Sequence, residues 1–288
     1  MARGSFRPVA ALTMAVALGV TGCSGGSGDA AGTLSIVPGA GPSADAVALP
    51  GPLDQQVASA LERLPDIAED ALERSGVPGM SIAVVFQDEV VFAEGYGVRE
   101  AGTDDRVTPD TVFQLASLSK PLSATALSAV MADGEISWDT PITELLPDFA
   151  FSDPVVTQRA TVGDAFSHRT GLLTGAGDDL EDLGFDRQTI LERLRLQPLD
   201  DFRSSYHYSN FGLTVGAEAV ATARGQEWED LVAELVFEPL GMESTSARHE
   251  DFLAHDDRAL LHAQIDGEFV AAYDRDPDPE APAGGVSS

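Results

Sequence analysis

The chain has one lysine, one cysteine and few aromatic residues. Lys120 stands beside sixteen arginines, Cys23 is the sole thiol, and Phe, Trp and Tyr make up 7% of the 288 residues. One thiol excludes an internal disulfide framework and any multi-cysteine metal site. Positive charge is scarce altogether: 17 basic residues face 47 acidic ones, a formal net charge of −30. So acidic a surface repels phosphate backbones and excludes nucleic acid as a partner. It suits a soluble exported protein. The apolar content of 43% is ordinary for a globular chain, and the length allows one large domain or two lobes sharing a core.

The rarity of lysine gives its one occurrence weight. Where a positive charge suffices, this composition supplies Arg. Lys offers what Arg does not, a proton that it loses when desolvated. Lys120 lies three residues after Ser117, ahead of an apolar run that ends at Met131 and Gly134. Three helical residues turn about 300°, which leaves the two side chains about 60° apart on one face. Pro121 is tolerated only in a first turn, so the helix starts near Ser117. Its apolar residues run nearly all round, which predicts a central helix. A serine beside a deprotonatable amine is an activated nucleophile.

Ser117-Leu118-Ser119-Lys120, followed by Pro121, resembles the Ser-x-x-Lys motif of serine β-lactamases and penicillin-binding proteins. The form is that of the class C β-lactamases and the related D-alanyl-D-alanine carboxypeptidases and esterases. Tyr208-Ser209-Asn210, with Phe211-Gly212-Leu213 after it, resembles the family's Tyr-x-Asn motif. Ser167-His168-Arg169-Thr170-Gly171-Leu172 resembles its Ser-His-x-x-Gly-Leu turn. The resemblance covers about Leu53 to Ser288. It implies an α/β (α+β) fold of the β-lactamase/transpeptidase type: an antiparallel sheet flanked by helices, an all-helical lobe, and the site between them. It further implies that Ser117 attacks a carbonyl to form an acyl-enzyme, that Lys120 and Tyr208 share the general-base work, and that Asn210 orients the substrate. No metal or cofactor is implied. The acyl donor is a β-lactam, a D-Ala-D-Ala peptide or an ester, and the residues leave that choice open.

The family's third motif, Lys/His-x-Gly, is not found after Asn210. Arg169-Thr170-Gly171 imitates it but precedes the second motif, and is rejected on order. In relatives the segment like Pro282–Ser288 leads on to a helix and three strands. The expectation is therefore a domain without its C-terminal strands, weakly active or inactive. Two other readings stay open: a non-catalytic cell-wall-binding lipoprotein on the same fold, or an inactive fragment of a longer enzyme.

The rest of the chain reads in order. Residues 1–22 form a secretory signal, with Arg3 and Arg7 ahead of an apolar stretch, Val9 to Val20, that is short for a membrane span. It ends in a lipobox-like Val20-Thr21-Gly22-Cys23, so Cys23 is the expected lipidation site and the location extracytoplasmic, anchored to the membrane. Residues 23–52, rich in Gly, Ala, Ser and Pro, read as a tether. Leu53 to Arg74 is a helix that Pro65 kinks or restarts. Met80–Phe86 and Val90–Tyr96 form a hairpin, as does Leu261–Tyr273 around Asp266-Gly267. Helices are expected over 161–166, 213–224 and 227–237. His168 reads as a structural turn residue, Tyr206 as a bystander, and the acidic run Asp178–Asp186 as a solvated loop. Asp274, Asp276 and Asp278 alternate like calcium ligands, but Pro277 and Pro279 mark a solvated loop there too.

Overall fold

The computed structural model describes residues 52–288; the expected signal and Cys23 lie outside the described residues, as does the tether up to residue 51. The order is α1 (Pro52–Ser75), β1 (Gly79–Phe86), β2 (Glu89–Gly97), a 3₁₀ turn at Ala116–Leu118, α2 (Ser119–Val130), α3 (Ile142–Leu145), α4 (Pro154–Arg159) and α5 (Val162–Phe166). Then come α6 (Asp178–Asp182), α7 (Arg187–Arg193), α8 (Asn210–Arg224), α9 (Trp228–Val232) and α10 (His249–Ala254). The chain closes with β3 (Leu261–Ile265), β4 (Glu268–Tyr273) and α11 (Ala281–Gly284). The fold is mixed helix and antiparallel strand. Among the described residues β1 and β2 form one two-stranded sheet, and β3 and β4 another.

α1 continues through Pro65 as one helix, so of the kink or restart expected there the restart does not occur. Gln87 and Asp88 join β1 to β2 with φ of 53° and 63°. Two successive left-handed residues make the primed turn whose twist matches that of paired strands.

α8 is the axis of the helical part, because it buries both flanks. Phe211, Val215 and Ala219 pack with Ile142, Phe149, Ile190 and Leu194. Ala217, Val220 and Ala221 pack on the other side with Leu127, Val130, Trp228, Val232 and Val286. Each large side chain so buried contributes roughly 1.5–3 kcal/mol. α2 supplies Ala126, Leu127 and Val130 to the second cluster but leaves Pro121, Thr125, Ser128 and Ala129 exposed. It is therefore a one-sided helix rather than the all-round buried one its apolar run predicts. Three of the four exposed positions are Pro, Thr and Ser, types that mostly face water, so the run is less apolar than its Ala and Leu suggest.

Gly216 sits where α8 crosses α5. A Cβ there would come 2.8 Å from Ala165 Cβ and 3.3 Å from the Phe166 ring. Gly216→Val should lower stability by about 1–3 kcal/mol, the range for overpacking a filled core, read as a lower midpoint in thermal or urea unfolding.

The acidic run at 178–186 is only in part the solvated loop expected. Its first five residues form α6, and Glu181 is buried. Arg275, 94 residues further on, pairs with it at 2.9 Å. A partner so distant in the chain is invisible to local charge counting.

Residues 281–287 are buried. Leu115 N–H donates to Val286 O at 2.8 Å, Phe113 and Ser288 exchange bonds of 2.9 and 3.0 Å, and Ser246 and Ser287 exchange bonds of 3.0 and 2.9 Å. This segment thus lies between the approach to Ser117 and residues 245–246, and supports the head of α2.

Candidate active site

Ser117 lies in the 3₁₀ turn just before α2 and is exposed. Its neighbour Ala116 has φ of 46°, a left-handed backbone that costs a non-glycine residue about 1–3 kcal/mol. Ser119 holds that turn. Its fully buried hydroxyl donates to Ala116 O at 2.6 Å and accepts from Val286 N–H at 2.9 Å. Ser123, one turn on, donates to Pro282 O at 2.5 Å. The second serine of the Ser-x-Ser-Lys motif therefore sets the backbone that presents the first.

Lys120 Nζ donates to Ser117 Oγ at 3.1 Å, to Asn210 Oδ1 at 2.8 Å and to Ala283 O at 2.8 Å. Tyr208 Oη donates to Ser117 Oγ at 2.6 Å, and Lys120 Nζ lies 4.6 Å from the Tyr208 ring centre, a cation–π contact. Ser117, Lys120, Tyr208 and Asn210 thus meet at one point, although 90 residues separate Lys120 from Asn210. α8 delivers the last two. Ser209 N-caps it through Gly212 N–H at 3.0 Å, which fixes Tyr208 just outside the helix and Asn210 at its first turn.

His168 is the site neighbour that the sequence reading treats only as structural. Its ring lies 4.8 Å from that of Tyr208, and its Nδ1 accepts from Ser209 N–H at 3.2 Å. Burial, then the Lys120 charge, push the imidazole below its ordinary value, so it stays neutral and keeps the lone pair that Ser209 uses. Tyr206, 66% exposed, meets only the edge of His168, with ring centres 5.7 Å apart.

The turn bearing His168 is anchored on Asp164, which is fully buried. Thr161 and Asp164 form a reciprocal capping box at the start of α5. Arg203 Nη2 and Arg169 Nε both donate to the same carboxylate at 2.7 Å. Burial opposes the Asp164 charge, but hydrogen bonds from Arg203, the Thr161 N–H and Arg169 overcome it and hold the carboxyl below its usual range. Arg169, rejected on order as a third-motif residue, acts here as a salt-bridge partner.

A cleft of about 490 Å³ adjoins Lys120, walled by Pro121, Ala124, Trp138, Phe166 and Leu213. Ser117, Lys120, Pro121 and Ala124 share one stripe of helix, so the cleft continues the face of the nucleophile. A larger cavity of about 1460 Å³, between α7 and residues 274–279, contains none of Ser117, Lys120 or Tyr208. Of the two, the smaller cleft is the one that Lys120 lines.

A family model described as Beta-lactamase matches residues 64–288. The chain belongs to this family. Among curated members it is similar to the unguisins hydrolase ungD' of Aspergillus campestris (strain IBT 28561), at 32% identity over 69% of this chain and 38% of that protein. It is similar to the esterase EstB of Burkholderia gladioli, at 34% identity over 64% of this chain and 51% of that one. A crystal structure of a class C beta lactamase superimposes with a TM-score of 0.66 at 20% identity, covering 80% of this chain and 62% of that one. The β-lactamase/penicillin-binding-protein fold that the motifs imply is therefore the fold of this chain. The chain spans about half or less of the length of these curated relatives. Members of the family are hydrolases.

Proposed function

We propose that the chain is a serine hydrolase that works through an acyl-enzyme on Ser117. The observation that carries this is Ser117 Oγ lying between Lys120 Nζ at 3.1 Å and Tyr208 Oη at 2.6 Å. Once it gives up a proton, the Lys120 amine keeps two N–H groups and gains a lone pair. Asn210 Oδ1 and Ala283 O only accept, so they take the two N–H groups and turn the lone pair toward Ser117. Lys120 in that form removes the Ser117 proton as Oγ attacks the carbonyl carbon; Tyr208 relays the proton to the leaving group. The Ser117 N–H, at the head of α2, supplies one donor to the developing oxyanion; such a donor is worth about 3 kcal/mol in the transition state. Water then cleaves the acyl ester by the reverse proton path. The acyl group lies along the cleft of Trp138 and Phe166.

The substrate classes are acyl donors: an ester or a D-Ala-D-Ala peptide, whose alcohol or D-Ala departs on acylation, or a β-lactam, whose amine stays tethered when the ring opens. Asn210 orients the substrate by donating its amide N–H to a substrate carbonyl oxygen. The same reading sets the protein outside the cytoplasmic membrane, held by lipid on Cys23.

The test is covalent. A fluorophosphonate probe incubated with the full chain should give one adduct, mapped to the peptide containing Ser117, and Ser117→Ala should abolish it. Hydrolysis of a chromogenic short-chain ester and of a chromogenic cephalosporin then sorts the acyl donors. An adduct on another serine, or none, overturns the assignment.

A further inference from the structure

The Ala283 carbonyl that receives Lys120 belongs to a segment fastened by two guanidinium groups. Arg187 donates to Asp278 O at 2.7 Å and to Pro279 O at 3.3 Å, its charge balanced by Glu218 and Glu229. Arg275 donates to Glu280 Oε1 at 2.6 Å and to Glu181 Oε1 at 2.9 Å. Glu280 is 2% exposed and stands at the start of α11. Its Oε1 lies 2.5 Å from where a Cβ on Gly284 would be. The carboxylate therefore rests on the backbone beside Ala283, in room that only glycine leaves. Its other oxygen, Oε2, is buried without a hydrogen-bond partner. A half-satisfied buried carboxylate is costly, and none of the acylation steps uses it.

We propose that Glu280 is a positioning residue for Lys120: gripped by Arg275 and laid against Gly284, its carboxylate holds the Ala283 carbonyl on the amine. Its kinetic consequence rests on the hydrolase reading above. The charged groups that face it are Glu181 and Asp178 from α6, Arg275 from the segment after β4, and Lys120 from α2. Burial, then the Glu181 charge, push its carboxyl up to about 7, against the pull of Arg275 and Lys120. Above that pH the carboxylate is charged and grips Arg275. Below it Glu280 is neutral, Arg275 keeps Glu181 as its charged partner, and the hold on Ala283 loosens.

The test uses the full chain, with Glu280→Gln and Glu181→Gln beside the wild type. Two readouts are taken on either side of pH 7. One is the fluorophosphonate labelling rate at saturating probe. The other is the ¹³Cε resonance of lysine, which is a single signal because the chain has one lysine. In the wild type both should inflect near pH 7. Glu280→Gln should lack the inflection and label about tenfold more slowly above neutrality, the effect of a small misplacement of a reacting group, with half-saturating probe concentration unchanged. Glu181→Gln should move the inflection to lower pH, since it removes the charge that raises Glu280; it also decides the matter if Glu280→Gln does not fold. Wild-type labelling and an unchanged lysine signal in Glu280→Gln overturn the inference. A wild type that never labels sinks the hydrolase reading instead, and the lysine resonance alone then judges Glu280.

Discussion

Lys120→Arg should slow acylation of Ser117 by about a thousandfold, the contribution of a positioned general base, with the unfolding transition left in place. Arginine preserves the positive charge and donors for Asn210 Oδ1 and Ala283 O, the two acceptors 2.8 Å from Nζ. What it lacks is a lone pair near neutral pH. The substitution therefore separates a base from a cation at one position. Labelling rate and a melting curve on the same sample give the answer. A variant that labels as fast as wild type leaves Lys120 a structural cation and gives the base role to Tyr208 alone.

Asp164→Ala is expected to be the most destabilising change in the helical part, at about 3–5 kcal/mol, as for removing one partner of a buried ion pair. The carboxylate is fully buried and accepts from Arg203, Arg169 and both the N–H and hydroxyl of Thr161. Without it those donors lose their acceptor, α5 loses its cap, and the turn carrying His168 loses its anchor. In a domain of this size the midpoint should fall by about 10 °C. The pH dependence has a defined sign. The folded carboxyl is held below its ordinary value, so its contribution is present above the unfolded value of ~3.9 and is lost as pH falls through the lower folded one. The acid limb of a wild-type stability curve should flatten in Asp164→Ala, and an unchanged limb contradicts the assignment.

The residues that meet Ser117 at the candidate site were legible because they belong to types the chain otherwise uses sparingly. One lysine at i+3 from a serine stands out against sixteen arginines, and Tyr208 and Asn210 follow from the motif they resemble. The hairpins and α5 were legible too, since turn residues and caps act over a few positions. Illegible were the partners supplied by distant backbone. Ala283 contributes a carbonyl, which every residue has, so no side chain announces it. Ser119 was in view within the motif, but the bond it accepts from Val286 N–H comes from a segment 167 residues away. Glu181 and Glu280 carry ordinary carboxylates in acidic surroundings; only the arrival of Arg275 turns them inward.

The support of the nucleophile by residues 282–286 has a consequence for the order of assembly. Ser123 reaches Pro282, Lys120 reaches Ala283 and Ser119 reaches Val286 across 159, 163 and 167 residues of chain. Closing loops of that span loses chain entropy before any contact rewards it, so such pairings form slowly and late. A growing polypeptide carries Ser117 out of the ribosome long before the backbone that completes its surroundings exists. The hydrogen bonds within α2 and α8 are local and do not wait on that segment in the same way. On the hydrolase reading, the completed surroundings of Ser117 are then among the last features the folding chain acquires.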